Sequence, residues 1–117
     1  MHKLEDLKIW NKAMEVAEEV YILTAHFPKE EKFGLISQLR RSAISIPSNI
    51  AEGAGRNTDG EFKNFLGIAN GSSYELYTQL LLSIKLNHCS EASVNPIIFK
   101  VIELQKMNYA LIKSLEK

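Results

Sequence analysis

Residues 4–26 carry two interleaved apolar seams. Leu7, Trp10, Met14, Ala17, Tyr21 and Thr24 step by three and four, and so do Ile9, Ala13, Val16, Val20 and Leu23. Both spacings are helical, and together they exceed the single stripe of an ordinary amphipathic helix. The pattern predicts a helix over 4–26 that is buried on two sides. Pro28 ends it, because the residue before a proline is biased away from helical geometry.

A second helix is expected to begin near Lys29–Glu31, where carboxylates suit the positive end of the helix dipole. Its inward positions are Ile36, Leu39, Ala43, Ile46 or Pro47, and Ile50. That spacing runs straight through Pro47, which removes one backbone donor and crowds the Ala43 carbonyl, at about 3 kcal/mol if nothing compensates. The unbroken phase predicts one kinked helix reaching about Glu52, with Gly53 and Gly55 as terminators. In "TDGEF", Thr58 and Glu61 have the spacing of a capping box and open a third helix. Its inward stripe is Phe62, Phe65, Leu66, Ala69, Ser73, Leu76, Leu80 and Ile84. Tyr74, Tyr77 and Leu81 form a second apolar strip, roughly 90° around the axis. Gly67 and Gly71 would let another backbone come close, each at about 1 kcal/mol relative to alanine.

Ser90 is one available cap for a fourth helix. Asn95 as cap with Pro96 at the first helical position is the better local solution, so an irregular first turn is expected. The later inward positions are Ile97, Val101, Leu104, Leu111 and Leu115, with Asn108 in the same seam. No alternating strand pattern or repeat interrupts the helical reading. The expected fold is therefore all-α: one domain over residues 1–117, an antiparallel up-down-up-down four-helix bundle with a proline-kinked second helix. Excess apolar surface on helices one and three predicts assembly into a homo-oligomer.

Composition changes this picture little. A 117-residue chain that is 45% hydrophobic can bury one core. Its apolar runs are broken well short of a membrane span, and the charged start "MHKLEDLK" lacks the apolar core of a secretory signal. With one cysteine, no internal disulfide is available. A soluble cytoplasmic protein without a membrane partner is expected. The net charge is zero, but its distribution is uneven. Residues 1–31 hold four lysines against seven carboxylates, whereas residues 32–56 hold Lys32, Arg40, Arg41 and Arg56 against Glu52 alone. An acidic helix pairing with a basic one explains this, and so does an anion-binding face multiplied by oligomerisation.

Catalytic chemistry finds little support. His2, His26 and His88 are scattered, and the Glu-x-x-His pairs of a di-iron bundle are missing, so no metal or cofactor is expected. Cys89 has no activating neighbour in sequence. "GAGRNT" resembles a phosphate loop but lacks the lysine and a preceding strand, and Asp59 and Glu61 occupy the helix end where a phosphate would bind. The more informative feature is the outer face of the second helix, with Gln38, Arg41, Ser42, Ser45, Ser48, Asn49 and Glu52. Short hydroxyl and amide side chains lose little rotamer entropy when fixed, so this face suits a hydrogen-bonded contact. It is equally consistent with a polar exterior whose local hydrogen bonds ease the proline. Arg41 and Glu52 lie about 16 Å apart along one helix, too far to pair internally, and could pair between subunits.

The stretches "FPKEEKFGLISQLRRSAISIPSNIAEGAGR" and "EFKNFLGIANGSSYELYTQL", with "LEDLKIW" ahead of them, resemble a known family over nearly the whole chain. It is the four-helix-bundle family encoded by intervening sequences of bacterial 23S ribosomal RNA genes. The family is related to the accessory variability determinant of diversity-generating retroelements. The resemblance implies an antiparallel bundle assembled as a ring-like homopentamer, with no established enzymatic activity. Its retroelement branch binds a reverse transcriptase and nucleic acid through basic surface. Carried onto this chain, that implies Arg40, Arg41, Arg56 and Lys63 as contacts for RNA or DNA. The neutral charge favours the intervening-sequence branch.

The expected function is thus a non-enzymatic, pentameric assembly protein with no catalytic residues, and nucleic acid or a reverse transcriptase-like enzyme is its expected partner. Gln38, Arg41, Ser45, Asn49, Glu52, Tyr74, Tyr77 and Leu81 are the expected subunit contacts. The alternative is a small metal-dependent hydrolase or nuclease built on Glu52, Asn49 and neighbouring serines, which needs a base–nucleophile pair.

Overall fold

The computed structural model describes residues 2–116. Four helices carry the fold: α1 (Lys8–Thr24), α2 (Leu35–Ala54), α3 (Asp59–Lys85) and α4 (Glu91–Leu115), with short 3-10 turns at Leu4–Asp6 and Lys29–Glu31. No strand occurs among the described residues. Helix α2 packs most extensively on α3, α1 packs on α2, α3 on α4, and α4 closes against α1. The body measures 46 × 23 × 21 Å, a rod about as long as its longest helix.

One seam of α1 enters the core, and the other is divided, with Thr24 buried and Leu7, Trp10 and Ala17 half-buried against the core. Ile9, Ala13, Val16 and Val20 are buried, together with Leu39, Ala43, Ile46 and Ile50 of α2. Phe62, Leu66, Ala69, Leu76 and Leu80 of α3, and Val94, Ile97, Val101 and Leu104 of α4, complete it. Met14 and Tyr21 of the other seam stay exposed. Helix one is therefore covered fully on one side within the chain and only in part on the second. Four rods in a ring each turn one stripe to the shared centre, and a second seam lies on the flank.

Boundaries differ from expectation where local signals compete. Helix α2 begins at Leu35, because Gly34 has a non-helical backbone (φ −106°, ψ −111°) that separates it from the Lys29–Glu31 turn. Glu31 still serves the helix: its Oε1 accepts the Leu35 N–H at 3.1 Å. Pro47 lies inside α2 without ending it. Helix α3 starts as its sequence predicts, with the Thr58 Oγ1 accepting the Glu61 N–H at 3.1 Å. Helix α4 starts at Glu91, with Ser90 as the cap, and holds Pro96 inside it. Beginning at Asn95 would leave Val94, which is fully buried, outside the helix. Pro96 is exposed, so water can satisfy the carbonyl that its missing N–H leaves free.

Helix α3 ends in a Schellman motif. Asn87 takes the left-handed conformation (φ 61°), with the His88 N–H bonded to Ser83 O and the Asn87 N–H to Ile84 O, both at 3.0 Å. This turn holds His88 against the Phe27 ring and places its Nε2 2.8 Å from Glu31 Oε2. The α3–α4 turn is thereby tied to the start of α2. The Glu31 carboxyl is held below its ordinary range, first by the Leu35 N–H and then by the His88 hydrogen bond and charge, against an opposing push from burial.

Candidate interaction surfaces

The polar face of α2 turns towards α3. Ser42 Oγ bonds Gln79 Oε1 at 2.8 Å, and Ser45 Oγ lies 2.8 Å from Ser72 Oγ. Arg41 Nη2 reaches Glu75 Oε2 at 3.0 Å and Gln38 Oε1 at 2.9 Å. The Asn49 amide turns back to its own helix, donating to Ser45 O at 2.8 Å. Glu52 pairs with Arg56 one turn on, at 3.0 Å. Of the expected subunit contacts on this helix, Gln38, Arg41, Ser45, Asn49 and Glu52 thus all have partners inside the chain. Arg41 and Glu52 each find a nearer opposite charge than one another.

These bonds explain the short side chains. Large residues would hold α2 and α3 apart, whereas Ser45 and Ser72 let their backbones approach. Gly53 extends the same logic: a Cβ there would lie 2.7 Å from Phe65 Cβ and 3.0 Å from Phe62 Cδ1. Such contacts are well inside van der Waals distance.

The basic residues do not gather into one patch. Arg40 faces α1, where its Nε donates to Thr24 Oγ1 at 2.8 Å and its guanidinium lies 4.3 Å from the Tyr21 ring centroid. Arg41 faces α3. Arg56 lies beyond the far end of α2, about 24 Å along from Arg40 at helical rise, stacked on Phe65 with Glu52 and Glu61 beside it. Lys63 is half-buried in the first turns of α3. Within one chain, Arg56 and Lys63 share one end of the bundle, and Arg40 and Arg41 stand at the other on opposite flanks of α2.

The surface that sequence reasoning missed is the groove between α1 and α2. Trp10, Met14, Ala17 and Tyr21 line one wall, and Ile44, Pro47 and Ala51 the other, with Leu4 at one end. The groove encloses about 500 Å³ and is open along its length. Met14 is 46% exposed and Ile44 44%. The signal was present in the two seams of helix one, since a lone bundle has room for only one of them. On α3, Tyr74 and Leu81 are exposed and Tyr77 is half-buried against the core, so the second strip is split between outside and inside.

The groups suited to chemistry remain dispersed. Among the described residues no three metal-ligating side chains converge. Burial pushes the Cys89 thiol up, away from thiolate. Glu52 is exposed in its ion pair with Arg56, and the Asn49 amide donates to both the Ser45 carbonyl and, at 3.0 Å, the Ser45 hydroxyl, so neither accepts a serine proton as a base would.

A family model described as 23S rRNA-intervening sequence protein matches residues 5–110, from the Leu4–Asp6 turn through most of α4. The chain belongs to the 23S rRNA-intervening sequence protein family. A crystal structure from Bacteroides thetaiotaomicron, described as a protein with unknown function from the S23 ribosomal protein family, superposes with a TM-score of 0.81. It is 25% identical, and the match covers 90% of this chain and 98% of that one. No curated protein matches. The intervening-sequence match spans both walls of the groove and the serine-rich α2–α3 contact. No helix among the described residues of this intervening-sequence protein is long and apolar enough to cross a membrane.

Proposed function

We propose that this intervening-sequence protein is a non-enzymatic, cytoplasmic assembly unit that completes its hydrophobic burial against copies of itself. One observation carries the reading: the open groove between α1 and α2, walled by Trp10, Met14, Tyr21, Ile44 and Pro47. The lining is apolar apart from Glu18 and Ser48, and a concave apolar surface rimmed by polar groups suits a partner. The single bundle runs up-down-up-down, bending at Pro47. Its contacts favour that topology: Ser42 with Gln79, Ser45 with Ser72 and Gly53 with Phe65 pair rising with falling numbers, as do Ser73 with Gln105 and Leu66 with Asn108.

The assembly is a closed homopentamer, the state the family resemblance implies. A ring would repeat Arg56 and Lys63 five times around one rim, and Arg40 and Arg41 around the other. Such rims suit a polyanion such as RNA or DNA, or a reverse transcriptase already bound to one, once Arg56 exchanges Glu52 and Glu61, and Arg41 exchanges Glu75, for phosphate. Multi-angle light scattering of the purified chain at micromolar concentration tests the assembly. A structured RNA whose binding falls steeply with salt, and is lost in Arg56→Gln with Lys63→Gln, tests the rim. Binding indifferent to those changes would discard the nucleic-acid reading and leave the assembly reading standing.

A further inference from the structure

The outer face of α3 carries a stripe that is open over its middle, at Gly67, Gly71 and Tyr74, while Leu81 and Lys85 share a hollow with Glu91 and Asn95 of α4. Lys63, Gly67, Gly71, Tyr74, Leu81 and Lys85 follow one another at helical steps of three, four and seven, within one quarter of the helix circumference. Tyr74 and Leu81 are exposed. At both Gly67 and Gly71 an added Cβ would meet nothing within 4 Å. Glycine in mid-helix is unfavourable, and a backbone kept bare is useful where another surface approaches closely. No such surface comes from this chain.

We infer that this face of α3 in one copy seats in the α1–α2 groove of the next, so that each chain offers two unlike surfaces. The inference rests on the assembly reading above and names its contact. The groove is concave and walled by large side chains, Trp10, Met14, Tyr21 and Ile44. The α3 face is convex, with bare backbone at Gly67 and Gly71 where those side chains would otherwise collide. Charge agrees with shape over the acidic part of the groove, which carries Glu18 on its wall and Glu5 and Asp6 beside Leu4 at one end, with Arg40 stacked on Tyr21 at the other; the stripe is bracketed by Lys63 and Lys85. A contact between unlike patches is head-to-tail, and head-to-tail contacts close into rings when the rotation permits. The outer stripe of α4, with Phe99 and Tyr109, is left facing outwards.

Two substitutions that fit the isolated chain test this. Met14→Arg puts a charge on the exposed rim of the groove, and Gly71→Arg fills open space on α3. The mass of each is read by light scattering, with circular dichroism confirming the helical fold. Each variant alone should fall from the wild-type mass to the 13.2 kDa monomer. Mixed in equal amounts they should form a one-to-one pair and nothing larger, because one intact groove and one intact stripe remain. Wild-type mass in Gly71→Arg would overturn the inference, as would two monomeric variants that fail to pair. Disassembly by Phe99→Arg in place of Gly71→Arg would move the contact to α4 and overturn it equally. A monomeric wild-type chain is the separate result that would remove the assembly reading itself.

Discussion

Replacing Gly53 with alanine should loosen the bundle although alanine is the better helix former. The new methyl would lie 2.7 Å from Phe65 Cβ and 3.0 Å from Phe62 Cδ1. Carbon pairs settle at about 3.5–4.0 Å, so close to 1 Å of separation is needed. Phe65 Cβ is fixed by its own backbone and cannot rotate aside. Relief therefore requires α2 and α3 to move apart at their closest point, along the most extensive contact in the molecule. Overpacking of this kind costs about 1–3 kcal/mol, and the gain in helix propensity returns about 1 kcal/mol. The difference is a net loss of up to about 2 kcal/mol, which corresponds to a melting temperature lower by up to about 8 °C for a domain of this size. Thermal melts followed by circular dichroism measure it, with Gly60→Ala as the control. A Cβ at Gly60 meets only Thr58 Oγ1, at 4.0 Å, so that variant should melt no lower than wild type. Equal melting of Gly53→Ala and Gly60→Ala would refute the reasoning, because it would mean that the α2–α3 approach is not limited by these phenylalanines.

Glu31→Gln should flatten the acid limb of the stability curve. The folded carboxyl is held below its ordinary range, so its contribution is complete above that range and lost as pH falls through the lowered value. Urea midpoints for wild type and variant should differ at neutral pH and converge in acid; a constant gap at every pH would contradict the assignment. Asn108→Leu should leave the melting temperature unchanged or raise it by the equivalent of about 1 kcal/mol. The Asn108 amide donates to Leu66 O at 3.0 Å, but its Oδ1 is buried without a partner among the described residues. A fall of several degrees would show that the bond to Leu66 outweighs the unpaired oxygen.

Features decided within one turn of chain were legible in the sequence. Thr58 and Glu61 set the start of α3 through a contact three residues long, and the period of α1 gives its two seams, though not which of them the core takes in full. The start of α4 was not legible, because Asn95–Pro96 is the better local cap and the burial of Val94 is a tertiary fact. The polar face of α2 shows a different limit. Helical periodicity groups Ser42, Ser45 and Asn49 on one side but does not say whether α3, another subunit or water lies opposite. Serine bonds with water, with a partner and with Gln79 alike, and only the packed bundle distinguishes them. The basic residues show the same limit. Arg40 and Arg41 are adjacent in sequence, yet a step of about 100° sends one to α1 and the other to α3.

The whole account depends on the α1–α2 groove being filled by another copy of this chain. The molar mass of the untagged wild-type protein at micromolar concentration addresses that most directly. The expected value is one discrete species at five times 13.2 kDa, unchanged on moderate dilution. A single species at 13.2 kDa, with Trp10 and Tyr21 freely reached by solvent quenchers, would contradict it.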